Sequence, residues 1–293
     1  MSGMCEGRVA VVTGAGRGIG RAHAEALAAQ GARVVVNDVD GAVAREVVDV
    51  IESTGVGGAV AFAGDCSISE GAHGLIATAL ATFGRLDVVV NNAGISRDKM
   101  LVNMAEADWD AVVQVHLKST FLVTQRAAQH WRERSKVGDA VDGRVINTVS
   151  SVGLYGHAGQ SNYASAKGAI AAFTLTTALE LGRYGVTVNA LCPTALTDMT
   201  AAVGLADSPE AKDGGLDPTW VSPAVVWLAS PLSADVTGRV IVASGKRLAI
   251  AEGWHRGPTA PPVADADAVD GVIRALLAEA APNADVQGDI PPS

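Results

Sequence analysis

Short apolar runs alternate with segments of helical length along most of the chain. The runs are rich in Val and Ala and contain few polar positions. Strands that are buried on both faces have this composition, and their alternation with helices is typical of a parallel sheet. We therefore predict an α/β fold, a single doubly wound parallel sheet of about seven strands with helices on both faces. The predicted strands are residues 8–12, 33–36, 60–62, 86–90, 144–149, 186–191 and 239–242.

Two stretches lie outside this alternation. Residues 194–219 mix Ala, Gly, Asp and Pro without a clear period, which is typical of a mobile segment beside an active site or of a surface excursion. After the last predicted strand the chain continues through Trp254 and a predicted helix over residues 266–279. We predict one domain over residues 1–245, which includes the irregular stretch. Residues 246–293 are predicted to form a C-terminal extension packed on that domain or on a neighbouring subunit.

Composition and charge narrow the class of protein. The 293 residues carry a formal net charge of −9, which argues against sequence-independent binding to nucleic acid or to an anionic membrane. The three cysteines, Cys5, Cys66 and Cys192, are widely spaced and form no CxxC pair, so neither a disulfide framework nor a metal site is predicted. No apolar run approaches the roughly 20 residues of a membrane span, and no secretory signal pattern is recognisable. We expect a cytoplasmic protein that acts on a small molecule.

A glycine-rich turn follows the first predicted strand. Residues 13–20 read Thr-Gly-Ala-Gly-Arg-Gly-Ile-Gly, and a predicted helix over residues 21–30 comes directly after them. Glycines let the backbone turn tightly and approach a pyrophosphate, which the amides and the positive dipole end of the helix then stabilise. The turn predicts a dinucleotide site, although ordinary strand-to-helix turns also use Gly. The residues expected to bind the cofactor here are Gly14, Arg17, Gly18, Ile19 and Gly20.

An acidic residue at the end of the second strand bears on the choice of coenzyme. Asp38 lies eighteen residues after Gly20, where a carboxylate can accept hydrogen bonds from both adenosine ribose hydroxyls and would repel a 2′-phosphate. This favours NAD. Arg17 lies inside the glycine turn and could instead accompany a 2′-phosphate, so NADP stays open.

Two further turns are expected near the cofactor. Asp65 follows the third predicted strand, where it could cap the adenine, and the adjacent Cys66 belongs to the same predicted site. The fourth strand runs into Asn92, Ala93 and Gly94, whose small side chains and amide would let the chain pass close to the cofactor. Turn chemistry alone also accounts for Asp, Asn and Gly at such places.

A tyrosine and a lysine four residues apart supply the candidate chemistry. On a helix, Tyr163 and Lys167 share a face, so the ammonium can stabilise the phenolate and lower the pKa of the phenol toward the range useful for acid–base catalysis. Ser150, thirteen residues upstream, supplies a hydroxyl that could hold a substrate oxygen while hydride moves to or from the carbon. An isolated YxxxK pair often arises by chance on a solvated helix face, so the pair gains its meaning from the other motifs.

Together these motifs resemble those of the short-chain dehydrogenase/reductases, in the family's order and spacing over roughly residues 7–245. The resemblance implies a Rossmann-type fold, a homodimer or homotetramer, and hydride exchange between a nicotinamide cofactor and an alcohol or carbonyl. It also implies that Tyr163 is the acid–base, that Lys167 lowers the tyrosine's pKa and binds the nicotinamide ribose, and that Ser150, not Ser151, anchors the substrate oxygen. Pro193 and Thr197 are expected beside the nicotinamide.

Three positions depart from the family pattern. His116 stands where the family usually has an asparagine that completes a proton relay through water; an imidazole could bind the same water, or be a structural residue. Pro193 is followed by Thr194 instead of glycine. The usual Asp-Gly-Gly after the last strand is replaced by Ala-Ser-Gly-Lys at residues 243–246, so subunit contacts at this edge do not follow from the resemblance.

Three interpretations of function stay open. The chain resembles 3-hydroxyacyl-CoA dehydrogenases at His116 and at Asn37–Asp38, and 3-oxoacyl-acyl-carrier-protein reductases at residues 159–163 and 197–200, so 3-hydroxyacyl or 3-oxoacyl thioesters are one substrate class. Steroids and other small alcohols are the second. A nucleotide-binding scaffold or redox sensor with little activity is the third, and a complete Ser, Tyr and Lys set argues against it.

Overall fold

The valine-rich runs pair side by side as strands. The computed structural model describes residues 3–197, 209–262 and 266–290. Each of the seven predicted strands is confirmed, with its ends within two residues of the prediction, and an eighth follows them. The strands are β1 (Val9–Val12), β2 (Arg33–Asp38), β3 (Gly58–Ala63), β4 (Val88–Asn91), β5 (Gly143–Thr148), β6 (Val186–Pro193), β7 (Val240–Ala243) and β8 (Leu248–Ala251).

Helices connect the strands and cover both faces of the sheet. Those before β6 are α1 (Gly18–Ala29), α2 (Gly41–Ser53), α3 (Ser69–Phe83), α4 (Glu106–Val113), α5 (Ser119–Lys136), α6 (Ser151–Tyr155) and α7 (Ser161–Leu181). Those after it are α8 (Pro209–Lys212), α9 (Ser222–Ala229) and α10 (Ala266–Glu279). One wide π-helical turn, Gln114–Lys118, joins α4 to α5. Such turns are rare and often occur at functional sites.

The strand order places a crevice in the middle of the sheet. The order is β3-β2-β1-β4-β5-β6-β7-β8, and β1 to β7 run parallel. The chain moves outward from β1 to β2 and β3 and then returns to β4 on the other side. Ligands of open α/β sheets bind at the carboxyl ends of the strands beside such a reversal. The fold therefore predicts a ligand site at the carboxyl ends of β1 and β4.

Successive side chains of β1 belong to different halves of the core. Ala10 and Val12 pack with α1, α2 and α9 on one face, while Val9 and Val11 pack with α3 and α5 on the other. Because strand side chains alternate between faces, a strand covered on both sides must be apolar at every position. This is the physical reason why the valine runs predicted the strands well.

The C-terminal extension contains one element that the sequence did not predict. β8 pairs antiparallel with β7, and its two large apolar side chains, Leu248 and Ile250, are exposed. The predicted helix over residues 266–279 is confirmed as α10. Trp254 is 97% exposed and buries almost none of its ring within the chain. No helix among the described residues is both long and apolar enough to cross a bilayer.

Part of the irregular stretch after β6 lies outside the described residues, namely 198–208. The remainder of residues 194–219 holds α8 and a short helical turn, Pro218–Trp220, and Leu196 donates a backbone hydrogen bond to Leu216 across it. Whether residues 1–245 and 246–293 behave as a domain and its extension stays a prediction.

Candidate active site

Most of the predicted site residues line one cleft of about 470 Å³ at the carboxyl ends of β1, β4, β5 and β6. Two predicted cofactor residues with polar side chains, Asp65 and Cys66, lie outside its lining, as does Ala93. The predicted residues that line the cleft are Gly14, Arg17, Gly18, Ile19, Gly20, Asp38, Asn92, Gly94, His116, Ser150, Tyr163, Lys167, Pro193 and Thr197.

The glycine turn forms a shallow cradle between β1 and α1. Gly14 has a φ of +59°, and a Cβ built on it would lie 2.8 Å from the Cα of Ala93. A Cβ on Gly20 would collide with the carbonyl oxygen of Gly14 and the side-chain amide of Asn92. Any side chain at these positions would therefore push the turn away from the helix. The first residues of α1, Gly18 to Gly20, line the cleft, and a helix N-terminus in that position suits a pyrophosphate.

A threonine clamps this cradle to the neighbouring strand. The Oγ1 of Thr13 accepts hydrogen bonds from the backbone N–H groups of Asn92 at 2.9 Å and Ala93 at 3.1 Å. In return, the Nδ2 of Asn92 donates to the carbonyl oxygens of Thr13 and Gly14, each at 3.1 Å. Asn92 and Ala93 thus hold the glycine turn in place, which is a structural contribution to the predicted cofactor site. The sequence analysis missed this use of Thr13, because a single threonine carries no spacing signal.

The carboxylate of Asp38 lies at the edge of the cradle. Its Oδ2 accepts a hydrogen bond from the backbone N–H of Gly16 at 3.1 Å, and its Oδ1 accepts one from the N–H of Asp40 at 3.1 Å. The two bonds fix the carboxylate at the end of β2. Arg17 lines the cleft with two thirds of its side chain exposed, and its Nη2 lies 3.8 Å from the Oδ2 of Asp40. Two acidic groups and one arginine therefore lie together at this edge of the cradle.

Asp65 and Cys66 have structural contacts of their own. The Oδ1 of Asp65 accepts a hydrogen bond from the backbone N–H of Ser67 at 2.8 Å, which stabilises the turn before α3. The buried thiol of Cys66 donates to the Oδ1 of Asn37 at 3.2 Å. Its side chain therefore faces the interior of the protein, and contact with an adenine through either residue stays a prediction.

Three elements bring the candidate catalytic groups together. Ser150 directly precedes α6 and caps it, its Oγ accepting a hydrogen bond from the N–H of Val152 at 3.3 Å. Tyr163 and Lys167 lie one turn apart on α7, and the Nζ of Lys167 is 5.7 Å from the centre of the tyrosine ring. The same Nζ donates to the backbone carbonyl oxygen of Thr148 at 2.7 Å, at the end of β5. The hydroxyl, the phenol and the amine therefore share one end of the cleft.

Burial dominates the protonation of this pair. It raises the pKa of Tyr163 to about 12, although a hydrogen bond with Ser150 opposes the shift. It lowers the pKa of Lys167, which is 3% exposed, to about 7. From their spacing on the helix, Lys167 was predicted to lower the pKa of Tyr163. With protein groups alone around the pair, burial has the largest effect on both pKa values, and it weakens the hold of Lys167 on its proton.

His116 lies on the π-helical turn and packs edge-to-face against Tyr163, with 5.2 Å between the ring centres. It is 2% exposed, and its Nε2 is 2.9 Å from the N of Ile95 and 2.8 Å from the O of the same residue. Its Nδ1 is buried and has no hydrogen-bond partner among the described residues. A Cβ on Gly94 would collide with the imidazole, so the glycine makes room for the ring. Burial, aided by the charge of Lys167, lowers the pKa of His116 to about 3, so the ring is neutral.

The cleft also holds a carboxylate that the sequence analysis missed. The Oδ1 of Asp98 accepts from the hydroxyl of Ser96 at 2.6 Å, and its Oδ2 accepts from the Nε2 of Gln160 at 2.8 Å. All three side chains line the cleft, and the charge of Asp98 adds a smaller contribution to the raised pKa of Tyr163. No motif relates these positions in the chain, because the fold alone brings residues 62 positions apart together.

The chain matches the family model for short chain dehydrogenases over residues 8–207. It is 48% identical over 258 residues to hydroxyacyl-CoA dehydrogenase ChsB1 of Mycobacterium tuberculosis, which covers 85% of this chain and 81% of the relative. It is 41% identical over 252 residues to a (3R)-3-hydroxyacyl-CoA dehydrogenase of Mus musculus, covering 81% of this chain and 95% of that one.

The fold agrees with these matches. A crystal structure of a short chain dehydrogenase from Mycobacterium avium superposes with a TM-score of 0.88 at 47% sequence identity, and the match covers 97% of this chain and 99% of the other. The predicted resemblance is thereby confirmed over most of the chain, including the cleft residues before 198. The chain belongs to the short-chain dehydrogenase family and is an oxidoreductase that acts on CH–OH groups.

Proposed function

We propose that the protein interconverts 3-hydroxyacyl and 3-oxoacyl thioesters with NAD as coenzyme, with Tyr163 as the acid–base. The observation that carries this proposal is the convergence of Ser150, Tyr163 and Lys167 beside a glycine cradle in one cleft. The thioester class is supported by two relatives that are named hydroxyacyl-CoA dehydrogenases and align with more than four fifths of this chain.

The cradle and its surroundings suit a dinucleotide. The turn over residues 13–20 and the N-terminus of α1 would hold the pyrophosphate, Asp38 the adenosine ribose, and Lys167 the nicotinamide ribose. Pro193 and Thr197 would border the nicotinamide; the methyl group of Thr197 already lies 3.2 Å from a Cβ built on Gly18. When bound, the coenzyme accepts hydride from the carbinol carbon or returns it to the ketone.

The preference for NAD follows from the acidic surroundings of the ribose position. Asp38 and Asp40 both lie there, and Arg17 is oriented toward Asp40. A 2′-phosphate would meet two carboxylates, whereas ribose hydroxyls could donate hydrogen bonds to Asp38. This balance of charge supports NAD over NADP.

Proton transfer is assigned to Tyr163. At neutral pH a phenol with a pKa of about 12 is protonated, the state that can donate a proton to a ketone oxygen while Ser150 donates a second hydrogen bond to it. For the reverse direction the phenol must release its proton. A charged Lys167 favours that step because it stabilises the phenolate.

His116 is proposed to connect this pair to solvent. Its unpaired Nδ1 lies in a ring that touches Tyr163, and Lys167 faces the same end of the cleft. A neutral imidazole nitrogen can hold a water molecule as an asparagine amide can, since each offers a hydrogen-bonding atom at a fixed position. The substitution of His for Asn would then preserve the relay.

The test is turnover of acetoacetyl-CoA by the purified protein with NADH and with NADPH. We expect oxidation of NADH, a clear preference for NADH over NADPH, and a loss of about 10³-fold in kcat for Tyr163→Phe with nearly unchanged NADH binding. Tyr184→Phe, at a half-buried tyrosine three residues beyond the end of α7, is the matched control. NADH binding without thioester turnover would reject the substrate class, and turnover that survives in the Tyr163→Phe variant would reject the role of the tyrosine.

A further inference from the structure

A closed loop near the C-terminus lies against α6, the short helix that Ser150 caps. In this loop, residues 285–289, the N–H of Asp285 donates to the carbonyl oxygen of Asp289, and the N–H of Gly288 donates back to the carbonyl oxygen of Asp285, each at 2.9 Å. The carboxylate of Asp285 also accepts the N–H of Gln287 at 2.9 Å and that of Asp289 at 3.0 Å. We call residues 285–289 the C-terminal strap.

Arg247 attaches the strap to the sheet. It precedes β8, and its two terminal nitrogens donate to the two carboxylate oxygens of Asp289 at 3.3 and 3.1 Å. A third bond runs from Nη1 to the carbonyl oxygen of Gln287 at 3.1 Å. Bidentate pairing of this kind fixes orientation better than a single contact does.

The strap meets the domain at the ring of Tyr155. A Cβ built on Gly288 would lie 2.8 Å from Cε2 and Cζ of that ring and 2.9 Å from its hydroxyl oxygen. Gly288 also has a φ of +85°, a conformation that side chains disfavour. Only glycine therefore lets the strap lie flat on the tyrosine.

Tyr155 is the last residue of α6, so the strap contacts the helix that Ser150 caps at its other end. α6 has five residues, is capped by Ser150, and contributes Ser151 and Val152 to the cleft wall. Burial has the largest effect on the pKa of the Tyr155 phenol and raises it. Arg247 lowers this pKa and Asp289 raises it, as expected for a ring next to their ion pair. One end of α6 thus presents the substrate-anchoring hydroxyl, while the other end is covered by the strap.

We infer that the C-terminal strap holds α6 in position and thereby sets the substrate side of the cleft. Gly288 and Arg247 are positioning residues that act through Tyr155 and Ser150. Among the described residues, no hydrogen bond or ion pair joins the strap to the cofactor side, which is built on β1, β2 and α1, so we expect coenzyme binding to be independent of the strap. The link to thioester binding rests on the proposed function, whereas the link between the strap and α6 does not.

The experiment compares two glycine variants of the full-length protein. Gly288→Val places a branched side chain against Tyr155, and Gly271→Val places the same side chain on α10, where a Cβ meets nothing within 4 Å. Hydrogen exchange of the amides of residues 151–156, the KM for acetoacetyl-CoA and the Kd for NADH are measured for each. For Gly288→Val we expect faster exchange over residues 151–156, a KM raised about tenfold, and a Kd for NADH within about twofold of the parent.

Variants of Arg247 test its ion pair with Asp289. Arg247→Met should raise the KM about threefold, as loss of a partly exposed ion pair predicts, and Arg247→Lys should restore part of the effect. The control is Arg274→Met, which removes an ion pair with Asp270 on α10 that is at least as exposed. We expect it to leave all three measurements unchanged.

The outcomes separate the inference from the proposed function. If exchange over residues 151–156 is the same in Gly288→Val and Gly271→Val, the strap does not hold α6 and the inference is wrong. If exchange rises but the parent protein does not turn over acetoacetyl-CoA, the role of the strap stands and the proposed substrate class fails. If exchange rises in an active enzyme whose KM is unchanged, the claimed effect on substrate binding is overturned.

Discussion

The glycine cradle lines the cleft, whereas the C-terminal strap packs against α6, which borders it, and the two are held in opposite ways. The cradle is fixed by hydrogen bonds around Thr13 and Asn92, next to buried strands. The strap is fixed by an exposed ion pair at Arg247 and by one aromatic ring. Elements with few buried contacts open at low free-energy cost, and buried elements open only with the whole domain. The coenzyme side is therefore rigid, and the substrate side can be adjusted at little cost in stability.

Of the tests of this comparison, the largest change is expected from a substitution of Lys167, on the rigid side. It concerns both the free energy of unfolding and turnover. The pKa of Lys167 is near 10.5 in the unfolded chain and about 7 in the folded protein, so folding carries a penalty that is absent above pH 10.5 and grows as the pH falls toward 7. Lys167→Met removes the penalty, and its stability relative to the parent should rise by about 1.4 kcal/mol for each pH unit lowered within this range. Turnover should be lost in the same variant.

Urea denaturation of Lys167→Met and the parent at pH 7.5 and pH 9.5 measures this difference. Lys136→Met, at an exposed lysine paired with Glu133, is the control and should show no such trend. A stability difference that is independent of pH would mean that Lys167 is not desolvated in the folded protein.

A smaller effect is expected at Asp38, also in the rigid half. Asp38→Ser should lower kcat/KM with NADH by about 30-fold, because hydrogen bonds from the ribose hydroxyls to a charged acceptor are lost, and it should improve use of NADPH. Steady-state kinetics with both coenzymes measure the change. The control is Asp49→Asn, at an exposed carboxylate on α2 that does not line the cleft. An unchanged coenzyme ratio in Asp38→Ser would reject the assigned role.

The rigid half is also the half that the sequence predicted. β1 and β2 are continuous apolar runs, and the glycine spacing and Asp38 follow them at fixed distances along the chain. Local patterns of this kind depend on a few adjacent residues, so they predict the local structure correctly. Two residues at the site were missed because they bind partners more than 60 positions away, Thr13 with Asn92 and Asp98 with Gln160, and no short-range pattern records such pairs.

The adjustable half was predicted only in outline. The helix over residues 266–279 has a clear period and was found, but β8 was not. Its four residues alternate between exposed and half-buried positions, and it becomes a strand because it pairs with β7. The strap depends on Gly288 meeting Tyr155 and on Arg247 meeting Asp289, both of which are tertiary contacts. The effect of burial on the pKa values of Tyr163 and Lys167 could not be predicted for the same reason, because burial is a property of the fold.

His116 lies between the two halves, and an effect of about tenfold in kcat is expected there. His116→Ala removes the nitrogen proposed to hold the relay water, whereas His116→Asn supplies the family's usual amide and should stay within about threefold of the parent. Because the pKa of His116 is about 3, the histidine should not titrate near pH 6.5. We therefore expect the parent and His116→Asn to have the same pH profile of kcat around that pH. Equal losses in the two variants would identify the histidine as a packing residue.

The smallest effect is expected at Trp254, in the extension. The ring is 97% exposed, so Trp254→Ser should change the free energy of unfolding by less than about 0.5 kcal/mol. The matched control is Trp131→Ser, since Trp131 is 2% exposed and donates to the carbonyl oxygen of Leu86 at 2.8 Å; its loss should cost about 3–5 kcal/mol. Urea denaturation compares the two variants. A destabilisation by Trp254→Ser that grows with protein concentration would show that the ring is covered by a second subunit, as the sequence analysis allowed, and the extension would then be more firmly held than its contacts within one chain indicate.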